Sequence, residues 1–318
     1  MFETFSTALS AMLVLFACMV IGYILNKKRI CAPNTAGVLS KLETHVFCPA
    51  LTINSFMNNC TVKSLSENYT VFIYSAILLA VAMIIAIPLS KAFVKEGYVR
   101  NIYKYALTFG NIGFVGNAVV LAMMGDAGLY KYMMFTTLLS VVIYAWGYPM
   151  LTQVEHGEYH SVRGSVIKRF INPTFISLVI GVVLGVSGVA TKLPQFVSTT
   201  VSNLGACMGP VAMVLTGFVV ADYDFGSLIK RKEIYMASLL RLIVLPLIFL
   251  GILKVLGAGK EIMYFCLFAF GAPLGLNTVV FPASVGGDTS TGASMAMISH
   301  TLCIITIPIL YSFIAMVL

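Results

Sequence analysis

Apolar stretches of about twenty residues follow one another along nearly the whole chain, and about 20 is the number a helix needs to cross a bilayer core. Between polar breaks they fall at 5–25, 35–57, 69–93, 101–124 and 128–152. After the connection QVEHGEYHSVRGSVIKRFIN they resume at 173–190, 196–221, 233–256, 260–285 and 290–317. Backbone in lipid must satisfy its own hydrogen bonds, so such runs form helices. Hydrophobic residues are 59% of the 318 and charged residues 10%, against about 25% charged in soluble proteins. The expectation is an all-α integral membrane protein of ten transmembrane helices. The second and seventh runs are the least apolar, which predicts helices shielded from lipid by their neighbours.

The net charge of +8 does not indicate a nucleic-acid partner, because basic residues of membrane proteins collect in cytoplasmic loops and no cluster here exceeds three. Cys18, Cys48, Cys207, Cys266 and Cys303 lie within apolar runs without metal-ligand spacing, and they read as small packed hydrophobes. No cofactor is expected beyond H+ or Na+ as a candidate coupling ion. The N-terminus carries Glu3 before its apolar run and Lys27, Lys28 and Arg29 after it, the reverse of a cleavable signal.

Landmarks repeat at one offset. Pro33 and Pro194, Pro49 and Pro210, Pro88 and Pro246, and Pro149 and Pro308 are 158 to 161 residues apart, and Asn117 and Asn277 are 160 apart. Common spacing in consistent order predicts an internal repeat, with a first five-helix unit at 1–153, a cytoplasmic linker at 154–172 and a second unit at 173–318. Five spans per unit make the second copy inverted in the membrane. The connections after runs one, three, five and seven hold thirteen Lys and Arg, and those on the other face hold five. This bias predicts both termini outside a multi-pass plasma-membrane protein.

The asparagines sit in breaks. FGNIGFVGNAVV (109–120) and FGAPLGLNTVV (270–280) both run from Phe-Gly through further glycine to Asn-x-Val-Val. Glycines alone fit close helix packing, but packing does not require amides, and an unsatisfied polar group in hydrocarbon costs several kcal/mol. Helices four and nine are therefore expected to break and cross, with Asn111, Asn117 and Asn277 binding substrate and Gly113, Gly116, Pro273 and Gly275 holding the helices open.

Accessory candidates are weaker. Arg241 reads either as an arginine snorkelling to the cytoplasmic interface or as a cavity group able to hold a carboxylate. Lys41, Glu43 and His45 read as the amphipathic start of span two, with a proton-linked role as the alternative for Glu43 or His45. Asp126 and Asp288 follow the broken helices as caps or gate residues. His300 reads as a hydrogen-bonded residue inside the bundle or a proton sensor. No HExxH, GxSxG or P-loop pattern is present, so no enzyme is expected.

The layout, the Asn111-x-Gly113-Phe114-x-Gly116 stretch and Ala272-Pro273 followed by Asn277 resemble the auxin efflux carrier family, including its bacterial malonate/malate-transporter-like members, over essentially the whole chain. The resemblance implies a bile-acid/sodium symporter-like fold with a scaffold and a transport domain, elevator movement, organic-anion substrates and a homodimer. Ala118 stands where that family usually has proline. The resulting expectation is a secondary transporter of a small mono- or dicarboxylate. A sodium- or proton-coupled symporter or antiporter of the same architecture ranks second, since amides replace the carboxylates an antiporter would place at the crossing. A membrane sensor ranks lower, because the chain ends in lipid-type sequence at Leu318 without an output domain.

Overall fold

The computed structural model describes residues 2–95, 97–152, 154–155, 158–159, 173–224, 226, 230–283 and 288–317. The chain is helical, apart from a short antiparallel pairing of Val154–Glu155 with Glu158–Tyr159. The rest of the linker expected at 154–172, with Arg163, Lys168 and Arg169, lies outside the described residues.

The first half contains α1 (Phe2–Lys27), α2 (Thr35–Leu42), α3 (Cys48–Asn59), α4 (Val62–Glu67), α5 (Tyr69–Phe93), α6 (Tyr98–Thr108), α7 (Asn117–Val142) and α8 (Tyr148–Leu151). The second half contains α9 (Pro173–Val186), α10 (Gln195–Ala206), α11 (Met208–Ala221), α12 (Lys232–Leu239), α13 (Leu245–Val255), α14 (Lys260–Phe270), α15 (Asn277–Ala283) and α16 (Ser290–Val317). Among the described residues six helical stretches are long and apolar enough to cross a membrane: 5–27, 69–93, 112–151, 195–221, 232–255 and 290–316. These belong to a multi-pass integral membrane protein. The remaining expected runs are short or interrupted.

The interruptions have causes in sequence. Wide-turned π segments at Glu43–Phe47, Ile143–Gly147 and Leu240–Val244 each end two residues before a proline, namely Pro49, Pro149 and Pro246. Proline supplies no N–H and displaces the carbonyl one turn earlier, and a π turn is one way for the helix to absorb that mismatch. A fourth π segment, Ile112–Gly116, follows the first glycine-rich break. Within α7, Gly125 at φ 67° and ψ −171° separates the fourth run from the fifth without a loop.

The two most extensive helix contacts are α1 on α11 and α9 on α3. Both are made by glycine. A Cβ on Gly22 or Gly217 would collide with backbone across the α1–α11 crossing, and one on Gly185 would meet the Phe56 and Cys60 carbonyls at 2.6 and 2.5 Å. Small residues allow such approach, which in lipid replaces the hydrophobic drive for packing.

The expected shielding of run seven fails over its first half. In α10 Gly205 alone is buried, where it meets α3 at Leu51, while Phe196 is 73% exposed. Its hydroxyls do not need neighbours, because Ser198 and Thr200 donate back to the carbonyls of Gln195 and Phe196 at 3.0 and 2.7 Å.

Candidate functional site

The two glycine-rich breaks meet. Helix α6 ends at Thr108 and α14 at Phe270, and between each and its continuation the chain is extended. Gly110 pairs with Leu274 as an antiparallel bridge, and the Asn111 N–H donates to the Pro273 carbonyl at 2.8 Å. Gly110 is required for this approach: a Cβ there would lie 2.6 Å from Arg241 Nη2 and 3.0 Å from the Ala272 carbonyl.

Breaking two helices in a bundle interior leaves carbonyls without partners at two C-termini. Arg241, fully buried, answers both ends at once. Its Nη1 donates to the carbonyls of Leu107 and Thr108 at 3.1 and 3.2 Å, and its Nη2 donates to Ala269 at 2.9 Å. The guanidinium lies 5.7 Å from the Phe270 ring centre. A cation at two helix C-termini also opposes the negative ends of both dipoles, and the fork of the guanidinium allows one side chain to reach two directions.

The far sides of the breaks are held by α16 and α7. Asn111 caps its π segment, its Oδ1 accepting from the Phe114 N–H at 3.1 Å, while its Nδ2 meets His300 Nε2 at 3.1 Å. The adjacent Ser299 accepts from the Leu274 N–H at 3.0 Å and donates to the Met295 carbonyl at 2.7 Å. One turn of α16 thus holds both breaks. Tyr132 Oη lies 3.2 and 3.3 Å from the carbonyls of Ile112 and Phe268 and shares its proton between them. Asn277 opens α15, and its amide donates to Tyr105 Oη at 2.9 Å.

A cavity of about 160 Å³ lies against the crossing. Asn111, Gly113, Asn117, Gly275 and Asn277 line one side, Thr44, Cys48, Thr52 and Thr174 the other, and Thr136, Thr137, Ser140 and Tyr144 of the fifth run complete the polar wall. No Lys, Arg, Asp or Glu side chain contributes to this lining. The Asn117 amide hydrogen-bonds to no described residue although Asn117 is 6% exposed. A volume near ~150 Å³ holds a benzene-sized molecule.

The other residues singled out in the sequence lie elsewhere. Gly116 and Pro273 are structural: a Cβ on Gly116 would collide with the Tyr132 hydroxyl, and Pro273 sits in the pairing between breaks. Arg241 neither snorkels nor faces the cavity. Asp126 is exposed just after Gly125, and exposed Asp288 accepts from the Ser290 N–H and hydroxyl at 2.9 and 3.1 Å, a cap for α16. Lys41 and His45 are exposed, as an amphipathic start requires, but Glu43 is fully buried with both carboxylate oxygens unpartnered among the described residues. The π turn beginning at Glu43 rotates it inward. Tyr105, Tyr132 and Ser299 escaped the sequence reading. The polar pairs Thr136-Thr137 and Ser299-His300 inside apolar runs were the signals available.

Among the described residues no group of three His, Cys, Asp or Glu side chains is placed to hold a metal ion. No curated protein matches the chain. The family model described as Membrane transport protein matches residues 7–311, a range that contains both breaks, the cavity and Arg241. This chain therefore belongs to that family of transporters, the auxin efflux carriers, and not to a family of enzymes.

Proposed function

We propose that the chain is a secondary transporter of a small mono- or dicarboxylate, bound at the crossing by Asn111, Asn117 and Asn277. The observation that carries this reading is Asn117: a buried residue whose amide bonds to no described residue and faces a cavity between two broken helices. An orphaned amide at membrane depth calls for a ligand or water. The N–H groups at the start of the α7 continuation carry partial positive charge. They and the amides would offset an anion's charge in a cavity whose lining has no cation.

The same reading takes the chain as two inverted five-helix units, 1–153 and 173–318, joined by a cytoplasmic linker in the plasma membrane. The matched glycine contacts support it, because α1 lies on α11 as α9 lies on α3, each first span of one unit on the second of the other. These four spans would be the scaffold, and the broken helices with α5, α7, α12–α13 and α16 the moving body of an elevator. The cavity has walls from both groups.

The test is carboxylate-dependent thermal stabilisation and uptake into proteoliposomes. Asn117→Ala and Asn277→Ala should each abolish both; Asn117→Ala should leave the unliganded melting temperature within about 2 °C, since its amide bonds to no described residue, while Asn277→Ala also takes the donor from the Tyr105 hydroxyl and should cost about 1–3 kcal/mol. Full uptake by both variants would remove the proposal.

A further inference from the structure

Three hydrogen bonds fix the protonation state of His300. The Phe114 N–H can only donate, so the Asn111 end it meets is the oxygen, and the end facing His300 is the NH₂. His300 Nε2 must then accept and carries no proton. Its other nitrogen, Nδ1, lies 2.6 Å from the Ala296 carbonyl, which can only accept. The ring is therefore neutral with its proton on Nδ1.

From this arrangement we propose that His300 is the proton-responsive positioning residue of the first break, acting on the cavity through Asn111. A proton added at Nε2 turns a donor–acceptor pair into two facing donors. Reversing the Asn111 amide would restore the bond to His300, but it would then aim the NH₂ at the Phe114 N–H and uncap the π segment. Either way one hydrogen bond at the break is lost, and Asn111 presents a different face to the cavity it lines.

Among the described residues, none beside His300 competes for this proton. The recess around His300 is walled by Met12, Leu15 and Met19 of α1, Val115 of the π segment and Met213 of α11, with Cys303 the one other titratable group in its lining. Of the described charged side chains on elements packed against α16, Arg241 is committed to carbonyls, Arg100 donates to the Lys95 carbonyl and Lys104 sits over the Trp146 ring. Lys27, Lys232, Glu233, Lys260 and Glu261 belong to first or last helical turns. A proton arriving at His300 Nε2 must be answered by Asn111.

The test has two arms, and only the second rests on the substrate reading above. First, ¹⁵N-histidine NMR of the purified protein reads the tautomer directly. The parent should show Nδ1–H with a bare Nε2 at about pH 7, and Asn111→Asp, whose carboxylate accepts from both Phe114 N–H and Nε2–H, should carry an imidazolium at that pH. An Nε2–H tautomer in the parent, or a neutral ring in Asn111→Asp, overturns the proposal. Second, the stabilisation given by acetate and malonate is followed from about pH 7 down to about pH 4, so that the range covers a buried imidazole as well as a free one. The parent's apparent affinity should fall about tenfold on acidification, the equivalent of one hydrogen bond. His300→Gln, which can still accept from Asn111 but cannot be protonated, should lose that dependence and thereby correct for titration of the ligands themselves. A parent-like pH profile in His300→Gln overturns the proposal. If neither carboxylate binds the parent, the substrate reading fails while the first arm still decides the fate of His300.

Discussion

Replacing Arg241 by methionine tests how the crossing is held together. The substitution keeps much of the side-chain volume and removes three donors from the carbonyls of Leu107, Thr108 and Ala269. A buried acceptor left without a partner costs about 1–3 kcal/mol, so the gross loss is about 3–9 kcal/mol. Part returns, because the buried guanidinium and its unpartnered Nε no longer need desolvating, and deleting one member of a buried charged contact typically nets about 3–5 kcal/mol. At about 2 °C per kcal/mol for a large chain, the melting temperature of Arg241→Met should fall by roughly 6–10 °C. Lysine keeps the charge but presents one ammonium where two helix ends need a donor, so Arg241→Lys should lose about half as much. A thiol-reactive dye reads the melt, since Cys266 and Cys303 are buried on either side of the crossing and become accessible as it opens. An Arg241→Met protein within about 2 °C of the parent would refute the capping argument, as would an Arg241→Lys protein as damaged as Arg241→Met.

Other substitutions give independent checks. Gly110→Ala should lower the melting temperature by several degrees and act non-additively with Arg241→Met in a double-mutant cycle, because the new methyl group would displace the guanidinium that Arg241→Met removes. Gly217→Val should destabilise by about 1–3 kcal/mol or prevent folding, read by yield and monodispersity after extraction, since α1 backbone occupies the space of any side chain there. Glu43→Gln should raise the melting temperature at about pH 8 by removing a buried carboxylate that has no partner among the described residues; a large drop would mean that the carboxylate meets a group essential to the fold. Lys131→Met should cost under about 1 kcal/mol, because the Lys131–Glu261 pair at 2.9 Å is only half-buried.

That the chain is a multi-pass membrane protein is legible because lipid imposes a length rule on apolar runs, and the breaks are legible because glycine, proline and asparagine violate that rule together. What the sequence conceals is which side chains answer the violation. Arg241 looks like an interfacial arginine by its distance from Lys232, and only the π turn at Leu240–Val244 and the approach of two helix ends reveal its role. His300 and Ser299 are 25 or more residues from their partners in the chain, and no local pattern encodes such a contact. Proline spacing is the ground for expecting a repeat, yet the π segments that accompany Pro49, Pro149 and Pro246 have no separate signature. The polarity of α10 suggested shielding, but back-bonded hydroxyls let that helix remain exposed.

The single guanidinium between two helix ends has an energetic consequence for transport. On the proposed elevator movement, both half-helices fastened at one point would carry the pocket across with one shape, and a ligand would bind it equally well from either compartment. Such a carrier would saturate at the same concentration on both sides, and affinity would give transport no preferred direction. For the proposed monovalent anion the membrane potential would set that direction, at about 2.3 kcal/mol per 100 mV, roughly a fiftyfold concentration ratio out of a negative interior.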